Sequence, residues 1–261
     1  MTGPTSPQEI AKYAAARQAA TYVEGGMKVG LGTGSTAAWL VRRLGERVRD
    51  EGLQIVGVPT SSSTAALARE VGVPVATLDE ARWLDLTIDG ADECDAELNL
   101  IKGGGGALLQ EKIVATASDR MIVIADATKR VEKLGAFPLP VEVVGFGMNT
   151  TKMLLEEMLE GLDVMGNKAV PRMKDGTLFR TDEGNHILDL HLGRIGNARQ
   201  LALILNQVPG VVENGLFIDI CDVIVIGHGD GTVETRDINS GETGRMVHEV
   251  ATDNVFVDIA D

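Results

Sequence analysis

Short apolar runs, each closed by a turn signal, recur along the first half of the chain and alternate with amphipathic stretches. Brief runs of this kind are typical of strands buried on both faces of a parallel sheet. Such runs predict strands at 27–31, 54–58, 73–76, 84–88 and 121–125. The stretches between them predict helices at about 7–23, 38–49, 65–71 and 107–117. Strands that alternate with helices at this spacing predict an α/β fold with a Rossmann-like, doubly wound parallel sheet.

The order of elements changes near residue 134, after which Pro138 and Pro140 interrupt the chain. From there the pattern predicts strands and helices at 141–146 (strand), 149–160 (helix), 168–173 with 177–180 (hairpin), 186–192 (strand) and 198–207 (helix). This β-α-β-β-β-α order predicts a second, smaller α+β domain rather than more of the parallel sheet.

The two patterns divide the chain into two predicted domains. Residues 1–134 and about 209–261 are expected to form the Rossmann-like domain, and residues 135–208 the smaller α+β domain. The late segment is assigned to the first domain because the apolar runs 216–220 and 223–226 are typical of its strands. Short strands are also predicted in the acidic tail, at 246–250 and 254–259.

Composition limits the partners of the protein. The chain has 261 residues, a formal net charge of −14 and a pI near 4.7, and it lacks a basic cluster, so a nucleic-acid partner is not expected. Cys94 and Cys221 have no paired spacing, which favours a reducing compartment. The sequence shows no signal-peptide pattern at its N-terminus, and its apolar runs are far shorter than a membrane span. We expect a cytoplasmic protein with no membrane partner.

The candidate chemistry is concentrated between Leu84 and Lys112. Asp89 and Asp92 follow a predicted strand, at the edge where open α/β sheets bind ligands. Lys102 precedes four glycines, 103–106, whose backbone N–H groups can converge on an anion because no Cβ blocks the approach. Glu111 lies about one turn into the helix that follows, so its carboxylate can point back over the loop.

A purely structural interpretation of this stretch is possible. Asp-Gly is a common turn pair, and four glycines often form a linker. The glycines here, however, separate two apolar segments without a change in composition on either side. Glycine costs about 0.5–1 kcal/mol relative to alanine in regular structure, so a run of four indicates that this backbone is needed. The functional interpretation is therefore preferred.

A second glycine motif follows the first predicted strand. Gly32, Gly34 and Ala37 have the spacing of a dinucleotide fingerprint, which is a weak signal alone. The fingerprint also requires an acid after the second strand, and 59–63 contains none, so NAD is rejected as a cofactor. The remaining possibilities are a phosphate or polyol site at a helix N-terminus and a plain tight turn, with comparable weight.

The sequence gives less support to a metal site or a nucleophilic cysteine. The four histidines, His186, His191, His228 and His248, lack a usable ligand spacing. Asp89, Asp92, Glu93 and Asp95 are suitable oxygen ligands for Mg²⁺, but Lys102 and Lys129 can instead neutralise them, and a metal-free protein is expected. Cys94 lies beside acids, which should raise the pKa of its thiol and make it a poor nucleophile.

The combination of an acid and a nearby cation suits enediol chemistry. The acid can carry a proton between adjacent carbons while the cation stabilises an oxyanion, and triosephosphate isomerase uses a glutamate base in this way. In its motifs the chain resembles the ribose-5-phosphate isomerase, type A, family. The resemblance covers roughly residues 8–226 and is carried by four ordered motifs, Gly32-Thr33-Gly34-Ser35-Thr36-Ala37, Asp89-Gly90-Ala91-Asp92-Glu93, Lys102-Gly103-Gly104-Gly105-Gly106-Ala107 with Glu111, and Ala125-Asp126 with Lys129.

The resemblance implies cofactor-free interconversion of ribose 5-phosphate and ribulose 5-phosphate through an enediolate. It assigns Glu111 as the general base between carbons 1 and 2, and Asp89 to ring opening and oxygen protonation. Asp92 would contact sugar hydroxyls, and Lys102 would stabilise the enediolate oxygen. The smaller domain would act as a lid and oligomerisation domain in a homodimer or homotetramer.

The resemblance also implies a substrate-binding set. Within it, residues 33–36 would hold the sugar phosphate, with two lysines as supplementary cations. The full set is Lys12, Thr33, Gly34, Ser35, Thr36, Gly90, Ala91, Gly103, Gly104, Gly105 and Lys129. No metal site is implied.

Two other functions are weighed against this one. The first is another enzyme on the same scaffold, such as an aminosugar-phosphate isomerase or a coenzyme A transferase. The aminosugar-phosphate isomerase would be expected to use a catalytic histidine, and no histidine lies in the matched motifs. A non-catalytic sugar-phosphate sensor is the second. It would need a DNA-binding module, and only about 25 residues with no basic surface precede the first predicted strand.

Overall fold

The computed structural model describes residues 3–248. Within this range the chain forms seven α-helices: α1 (Pro7–Ala20), α2 (Ser35–Asp50), α3 (Ser62–Glu70), α4 (Leu78–Ala81), α5 (Leu108–Thr116), α6 (Met148–Leu159) and α7 (Ala198–Leu205). Helix α1 begins as its sequence predicts, because the Ser6 hydroxyl accepts a hydrogen bond from the Glu9 N–H and Pro7 occupies the first helical position. It ends at Ala20, before the predicted boundary at 23.

The same residues form sixteen strands. The first eight along the chain are β1 (Lys28–Leu31), β2 (Val56–Pro59), β3 (Leu86–Gly90), β4 (Glu93–Cys94), β5 (Leu100–Ile101), β6 (Met121–Asp126), β7 (Leu139–Val143) and β8 (Lys168–Pro171). The other eight are β9 (Met173–Lys174), β10 (Thr177–Leu178), β11 (His186–His191), β12 (Val211–Asn214), β13 (Leu216–Phe217), β14 (Val223–Gly227), β15 (Thr232–Asp237) and β16 (Thr243–Val247).

Seven strands form the main sheet, in the order β16-β15-β14-β6-β3-β1-β2. Neighbours from β14 to β2 are parallel, and β15 and β16 add an antiparallel edge. The parallel part has the spatial order 2-1-3-4-5 of the flavodoxin-like doubly wound sheet. The predicted α/β fold with a doubly wound parallel sheet is therefore confirmed.

Side chains of the central strands alternate between two apolar layers. On β6, Ile122 and Ile124 pack with helices α1 and α2, whereas Met121, Val123 and Ala125 pack on the opposite face. Successive strand residues point to opposite faces, so a strand covered on both sides must be apolar throughout. This explains the continuous apolar run from which the strand was predicted.

The second sheet contains four antiparallel strands in the order β12-β7-β11-β8, covered by helices α6 and α7. Its predicted α+β character is confirmed, and the predicted hairpin turns at Asp175 and Gly176, which both have positive φ. Strand β12 was not predicted, and Val211–Asn214 hydrogen-bonds within this second sheet. The division at residues 134 and about 209 stays a prediction.

Several predicted boundaries differ from the structure. The strand expected at 73–76 is reduced to one bridge, between Val75 and Gly57, and Pro74 has no N–H to extend the pairing. Residues 216–217 join β5 in a separate three-stranded sheet instead of the main sheet. The predicted strand 246–250 is seen in part, as the end of β16, and 254–259 lies outside the described residues. In the part of the chain that the structure describes, no helix is long and apolar enough to cross a membrane.

Candidate active site

The candidate site lies where the direction of chain winding reverses in the main sheet. From β1 the chain continues to β2 on one side, and it later returns to β3 on the other side of β1. The carboxyl ends of β1 and β3 therefore leave a crevice between them, which is where sheets of this type bind ligands. Residues 32–36 follow β1 at this edge, and Asp89 is the penultimate residue of β3.

Asp89 is fully buried beneath the crevice, and its two carboxylate oxygens have different neighbours. Oδ1 accepts hydrogen bonds from the backbone N–H groups of Thr33 (3.0 Å) and Gly90 (2.6 Å), which ties the two loops together. Oδ2 lies 2.9 Å from Nζ of Lys102. A Cβ on Gly32 would lie 2.1 Å from Oδ1, so glycine is required where this loop passes the carboxylate.

Lys102 is brought to Asp89 by the small sheet that the sequence did not predict. Strand β5 pairs with β4 on one side and β13 on the other, and Lys102 follows β5 directly. Its ammonium group also donates to the Gly90 carbonyl (2.6 Å) and lies over the Phe217 ring, 5.4 Å from the centroid. With only 2% of its surface exposed, the lysine is enclosed by groups that favour its charged form.

Glu111 reaches the same ammonium from the opposite side. It lies in the first turn of α5, and its Oε1 is 3.4 Å from Nζ of Lys102. Its Oε2 is buried and has no hydrogen-bond partner within residues 3–248. An unpartnered buried carboxyl oxygen is costly to maintain, and such a group beside a cavity is suited to contact with a ligand.

The glycine loop between Lys102 and α5 has a tight, specific conformation. Gly103 and Gly106 have φ values of +99° and +86°, which residues with a Cβ rarely adopt. The Gly106 N–H donates to the Gly103 carbonyl (2.9 Å), which closes a turn. The Gly104 N–H donates to Oδ2 of Asp92 (2.7 Å). These contacts exclude the linker interpretation, because the loop is fixed at both ends and in its middle.

The other wall of the site is the start of helix α2. Gly34 is the N-cap with φ of +115°, and the helix begins at Ser35, three residues before the predicted start. The first N–H groups of a helix have no partner within it and carry partial positive charge. Nζ of Lys12 donates to the Ser35 hydroxyl (3.0 Å), which places a full positive charge at the same point. The arrangement favours the anion-site alternative over a plain turn.

Thr33 has a more structural environment than the other residues of this loop. Its N–H is bonded to Asp89, and its hydroxyl lies within 2.8–3.2 Å of three others. These belong to Thr60, Ser61 and Thr64, which are buried after β2, where a dinucleotide site would need an acid.

The residues predicted as one site do come together. Fourteen of the fifteen line a single cavity of about 120 Å³: Lys12, Thr33, Gly34, Ser35, Thr36, Gly90, Ala91, Asp92, Lys102, Gly103, Gly104, Gly105, Glu111 and Lys129. The fifteenth, Asp89, lies beneath this lining and contacts it through Lys102. Their individual roles stay predictions.

Burial and mutual charge set the protonation states in this cluster. Burial raises the pKa of Glu111 to about 8, with the nearby carboxylates of Asp89 and Asp92 acting in the same direction and Lys102 opposing them. Burial also raises the pKa of Asp89, against the opposing effect of Lys102. For Lys102, burial alone would lower the pKa, but the charges of Asp89 and Glu111 hold it above its ordinary value. Glu111 therefore titrates close to neutral pH, far above an ordinary glutamate.

Sequence reasoning missed the contacts that the second sheet makes to the glycine loop. The Arg172 guanidinium donates to the carbonyls of Gly103 (2.7 Å) and Gly104 (3.1 Å). The Phe179 ring fills the space beside Gly106, where an added Cβ would lie 2.4 Å from its Cζ. Both residues come from a β-hairpin about 70 residues further along the chain, and nothing in their local pattern indicates the contact.

The acids considered as Mg²⁺ ligands are held apart. Glu93 accepts hydrogen bonds from the N–H groups of Gly135 and Phe137, and Asp95 caps its own turn. Within residues 3–248 no group of three His, Cys, Asp or Glu side chains is arranged to hold a metal ion, and no histidine lines the cavity. Burial, more than the neighbouring acids, raises the pKa of the Cys94 thiol to about 11, consistent with a poor nucleophile.

A buried carboxyl that titrates near neutral pH and a helix N-terminus line the same cavity, which suits an enzyme that moves protons on a small phosphorylated molecule. Comparison with known proteins identifies the family. The family model described as ribose 5-phosphate isomerase A (phosphoriboisomerase A) matches residues 56–231, more than half of the chain. The chain belongs to the ribose 5-phosphate isomerase A family.

Individual relatives agree with this assignment. A ribose-5-phosphate isomerase A from Ruegeria pomeroyi is 70% identical over 262 residues, with all of both chains covered. The solved ribose 5-phosphate isomerase A from Methanocaldococcus jannaschii is 42% identical with a TM-score of 0.79, covering 87% of this chain and 97% of that one. A second solved D-ribose-5-phosphate isomerase, in complex with phospho-erythronic acid, is 36% identical with a TM-score of 0.79 and covers 95% of this chain and all of the other.

The raised pKa of Glu111 predicts a pH-dependent stability. Unfolded glutamate loses its proton near 4.5, whereas folded Glu111 keeps it to about pH 8, so folding takes up a proton between these values. The free energy of unfolding should therefore fall as pH rises from 4.5 to 8, and Glu111→Gln should remove this contribution. Urea unfolding of both proteins at several pH values should show the variant gaining stability relative to the unsubstituted chain as pH rises. Glu157→Gln, at an exposed position of α6, is the control, and an equal gain there would contradict the prediction.

Proposed function

We propose how this chain carries out the reaction of its family. It is an aldose–ketose isomerase that interconverts D-ribose 5-phosphate and D-ribulose 5-phosphate, and we infer that the reaction passes through an enediolate in the cavity described above. The observation that carries this mechanism is Oε2 of Glu111, a buried carboxyl oxygen with no partner among the described residues. It lies on the wall of a cavity that is also lined by the N-terminus of α2. The relative solved in complex with phospho-erythronic acid supports a small phosphorylated molecule as the ligand.

Glu111 is the proposed general base. In the conversion of aldose to ketose, its carboxylate removes the proton from carbon 2, and the electrons form the carbon 1–carbon 2 double bond. The carbonyl oxygen on carbon 1 then carries the negative charge of the enediolate. The same carboxyl then returns the proton to carbon 1, while the proton of the carbon 2 hydroxyl is transferred to the carbon 1 oxygen, which yields the ketose. One group can serve both steps because the two carbons are adjacent, so only a small movement separates the two positions.

Lys102 and Asp89 are proposed to stabilise and protonate the sugar oxygens during the reaction. The ammonium of Lys102 lies 3.4 Å from Glu111 and supplies a fixed positive charge for the enediolate oxygen, in a site where burial strengthens the interaction. Asp89 keeps that ammonium charged and in place, and we assign it to ring opening and oxygen protonation through this contact. Asp92, on the cavity wall, is assigned to the sugar hydroxyls.

The phosphate is proposed to bind at the N-terminus of α2. Ser35 and Thr36 present backbone N–H groups there, and Lys12 and Lys129 add two positive charges to the lining of the cavity. In a protein with a net charge of −14, local groups of this kind are needed to attract an anionic substrate.

The proposed base predicts the effect of one substitution. Glu111→Gln keeps the shape of the side chain but removes the proton acceptor, so turnover of ribose 5-phosphate should fall about 10³-fold or more, with substrate binding largely intact. Ketose formation is followed with purified protein in the presence of a chelator, because the reaction is expected to need no metal or cofactor. Binding of ribose 5-phosphate is measured by calorimetry on the same samples.

Three outcomes of that experiment differ in meaning. Activity that survives the chelator and is lost in Glu111→Gln, but not in Glu157→Gln, supports the mechanism. Activity lost with the chelator and restored by a divalent metal would contradict a metal-free reaction. Tight binding of the sugar phosphate by the unsubstituted protein with no turnover would instead indicate a sensor.

The pKa of Glu111 also predicts the pH dependence of catalysis. The general base must be ionised, and its pKa of about 8 in the free protein means that most molecules hold it protonated at pH 7. The value of kcat/KM should therefore rise about tenfold per pH unit at first and level off above about pH 8. Measurement of kcat/KM from pH 6.5 to 9 tests this, because a base with an ordinary glutamate pKa would give a flat profile over that range.

Assembly and location are further proposals. Large apolar side chains are exposed on α6 and α7 (Met153 and Leu203) and on nearby loops (Phe146 and Met165). They favour a homodimer or homotetramer formed through residues 135–208. Light scattering of the full chain should give two or four times the mass of 27.7 kDa, and a single 27.7 kDa species at micromolar concentration would contradict this. Two buried free cysteines are compatible with the cytoplasm, where we place the reaction.

A further inference from the structure

We propose that Arg172 is a positioning residue for the reaction, and that it turns the N–H of Gly105 towards the cavity. This inference rests on the proposed function for its kinetic consequences, but its structural basis is independent. The carbonyl groups of Gly103 and Gly104 both point towards Arg172.

One nitrogen of the guanidinium binds two consecutive carbonyls. Nη1 of Arg172 donates to the oxygen of Gly103 at 2.7 Å and to that of Gly104 at 3.1 Å. In a trans peptide unit the carbonyl and the following N–H point in opposite directions. The Gly104 N–H accordingly points away from Arg172, and it donates to Asp92 at 2.7 Å. The Gly105 N–H must point away from Arg172 in the same manner, and Gly105 lines the cavity.

The guanidinium itself is firmly held. Its Nε and Nη2 form a two-point ion pair with the carboxylate of Asp189, at 3.0 and 2.5 Å, and both side chains are mostly buried. Planar two-point pairing of this type fixes the orientation of the guanidinium group as well as its position. The third nitrogen, Nη1, is thereby directed at the glycine loop.

The backbone of Arg172 is also fixed within the second sheet. Its N–H donates to the Ile187 carbonyl (2.8 Å), and its carbonyl accepts from the Phe179 N–H (2.9 Å). Phe179 then contacts the far end of the loop at Gly106. Arg172 therefore supports the outer side of the glycine loop at Gly103 and Gly104, and Phe179 supports it at Gly106.

This support matters because glycines are otherwise mobile. A peptide of four glycines has many accessible conformations, and an N–H group contributes to stabilisation of an oxyanion only when it is held in place before the reaction. Displacement of a catalytic donor by about 1 Å can cost up to about 10²-fold in rate. Arg172 is suited to remove this freedom without touching the substrate.

Arg172→Met tests the proposal. The value of kcat should fall about 10- to 100-fold, since the loop loses its outer hydrogen bonds, whereas KM should change less than about threefold. KM is expected to be preserved because the residues proposed to bind the phosphate, on α2 and at Lys12, have no contact with Arg172. Arg172→Lys should give an intermediate kcat. An ammonium can donate to a loop carbonyl, but it cannot also form the two-point pair with Asp189. Arg180→Met, at an exposed arginine of the same hairpin region, is the matched control and should leave kcat unchanged.

Hydrogen exchange gives a second measurement that does not depend on turnover. Exchange of the amides of residues 103–106 should become faster in Arg172→Met, while exchange in β11 should stay as in the unsubstituted protein. If Arg172→Met does not fold, Asp189→Asn keeps the arginine, weakens its anchor, and should show the same pattern with a loss in kcat of about threefold.

Two results would overturn the proposal. One is a folded variant with kcat within twofold of the unsubstituted protein and unchanged exchange in the loop. The other is faster exchange in β11 to the same extent as in the loop, which would show that Arg172 only stabilises the second sheet. If the unsubstituted protein had no isomerase activity, the proposed function would fail, but the exchange measurement would still decide whether Arg172 orders the loop.

Discussion

The site depends on one buried positive charge placed between two carboxyl groups. Lys102 is nearly inaccessible to solvent and lies 2.9 Å from Asp89 and 3.4 Å from Glu111. A single ammonium compensates one buried carboxylate well but not two, and an uncompensated buried charge is costly. The arrangement resolves this conflict through protonation, because burial raises the pKa of both carboxyl groups. The pKa of Glu111 rises to about 8, so a group that can gain or lose a proton near neutral pH lies beside the cavity.

The fold is what makes this burial possible. Asp89 comes from the main sheet, Lys102 from the end of the small three-stranded sheet, and Glu111 from the helix after the glycine loop. Each element is held by partners far away in the chain, and Lys102 additionally rests on Phe217 of β13. Rigid elements of this kind hold charged groups in proximity without allowing water to separate them, which a mobile loop would not do.

Much of the fold and most of the site were predictable because their signals are local. The apolar runs identify parallel strands buried on both faces, and the short interval from Asp89 to Glu111 contains all four proposed catalytic groups. The pairing of β12 and β13 and the contacts of Arg172 were not predictable, because they depend on partners that lie up to about 115 residues away in the chain. For β13 a strand was predicted, but not the sheet that it joins. The start of α2 at Ser35 was missed because its cap is the backbone of Gly34, not a side chain with a known preference.

The four consecutive glycines serve different physical needs. Gly103 and Gly106 require a positive φ, and a Cβ on Gly104 would lie 2.5 Å from Oδ1 of Asp92. Gly105 differs, because a Cβ there would find only Thr33 Cγ2, at an ordinary 3.6 Å, and its φ is not positive. The protein itself therefore tolerates a side chain at Gly105. Since this residue lines a cavity of only about 120 Å³, the reason for a glycine is best sought in the space that the ligand needs, and in the close approach of its N–H to that ligand.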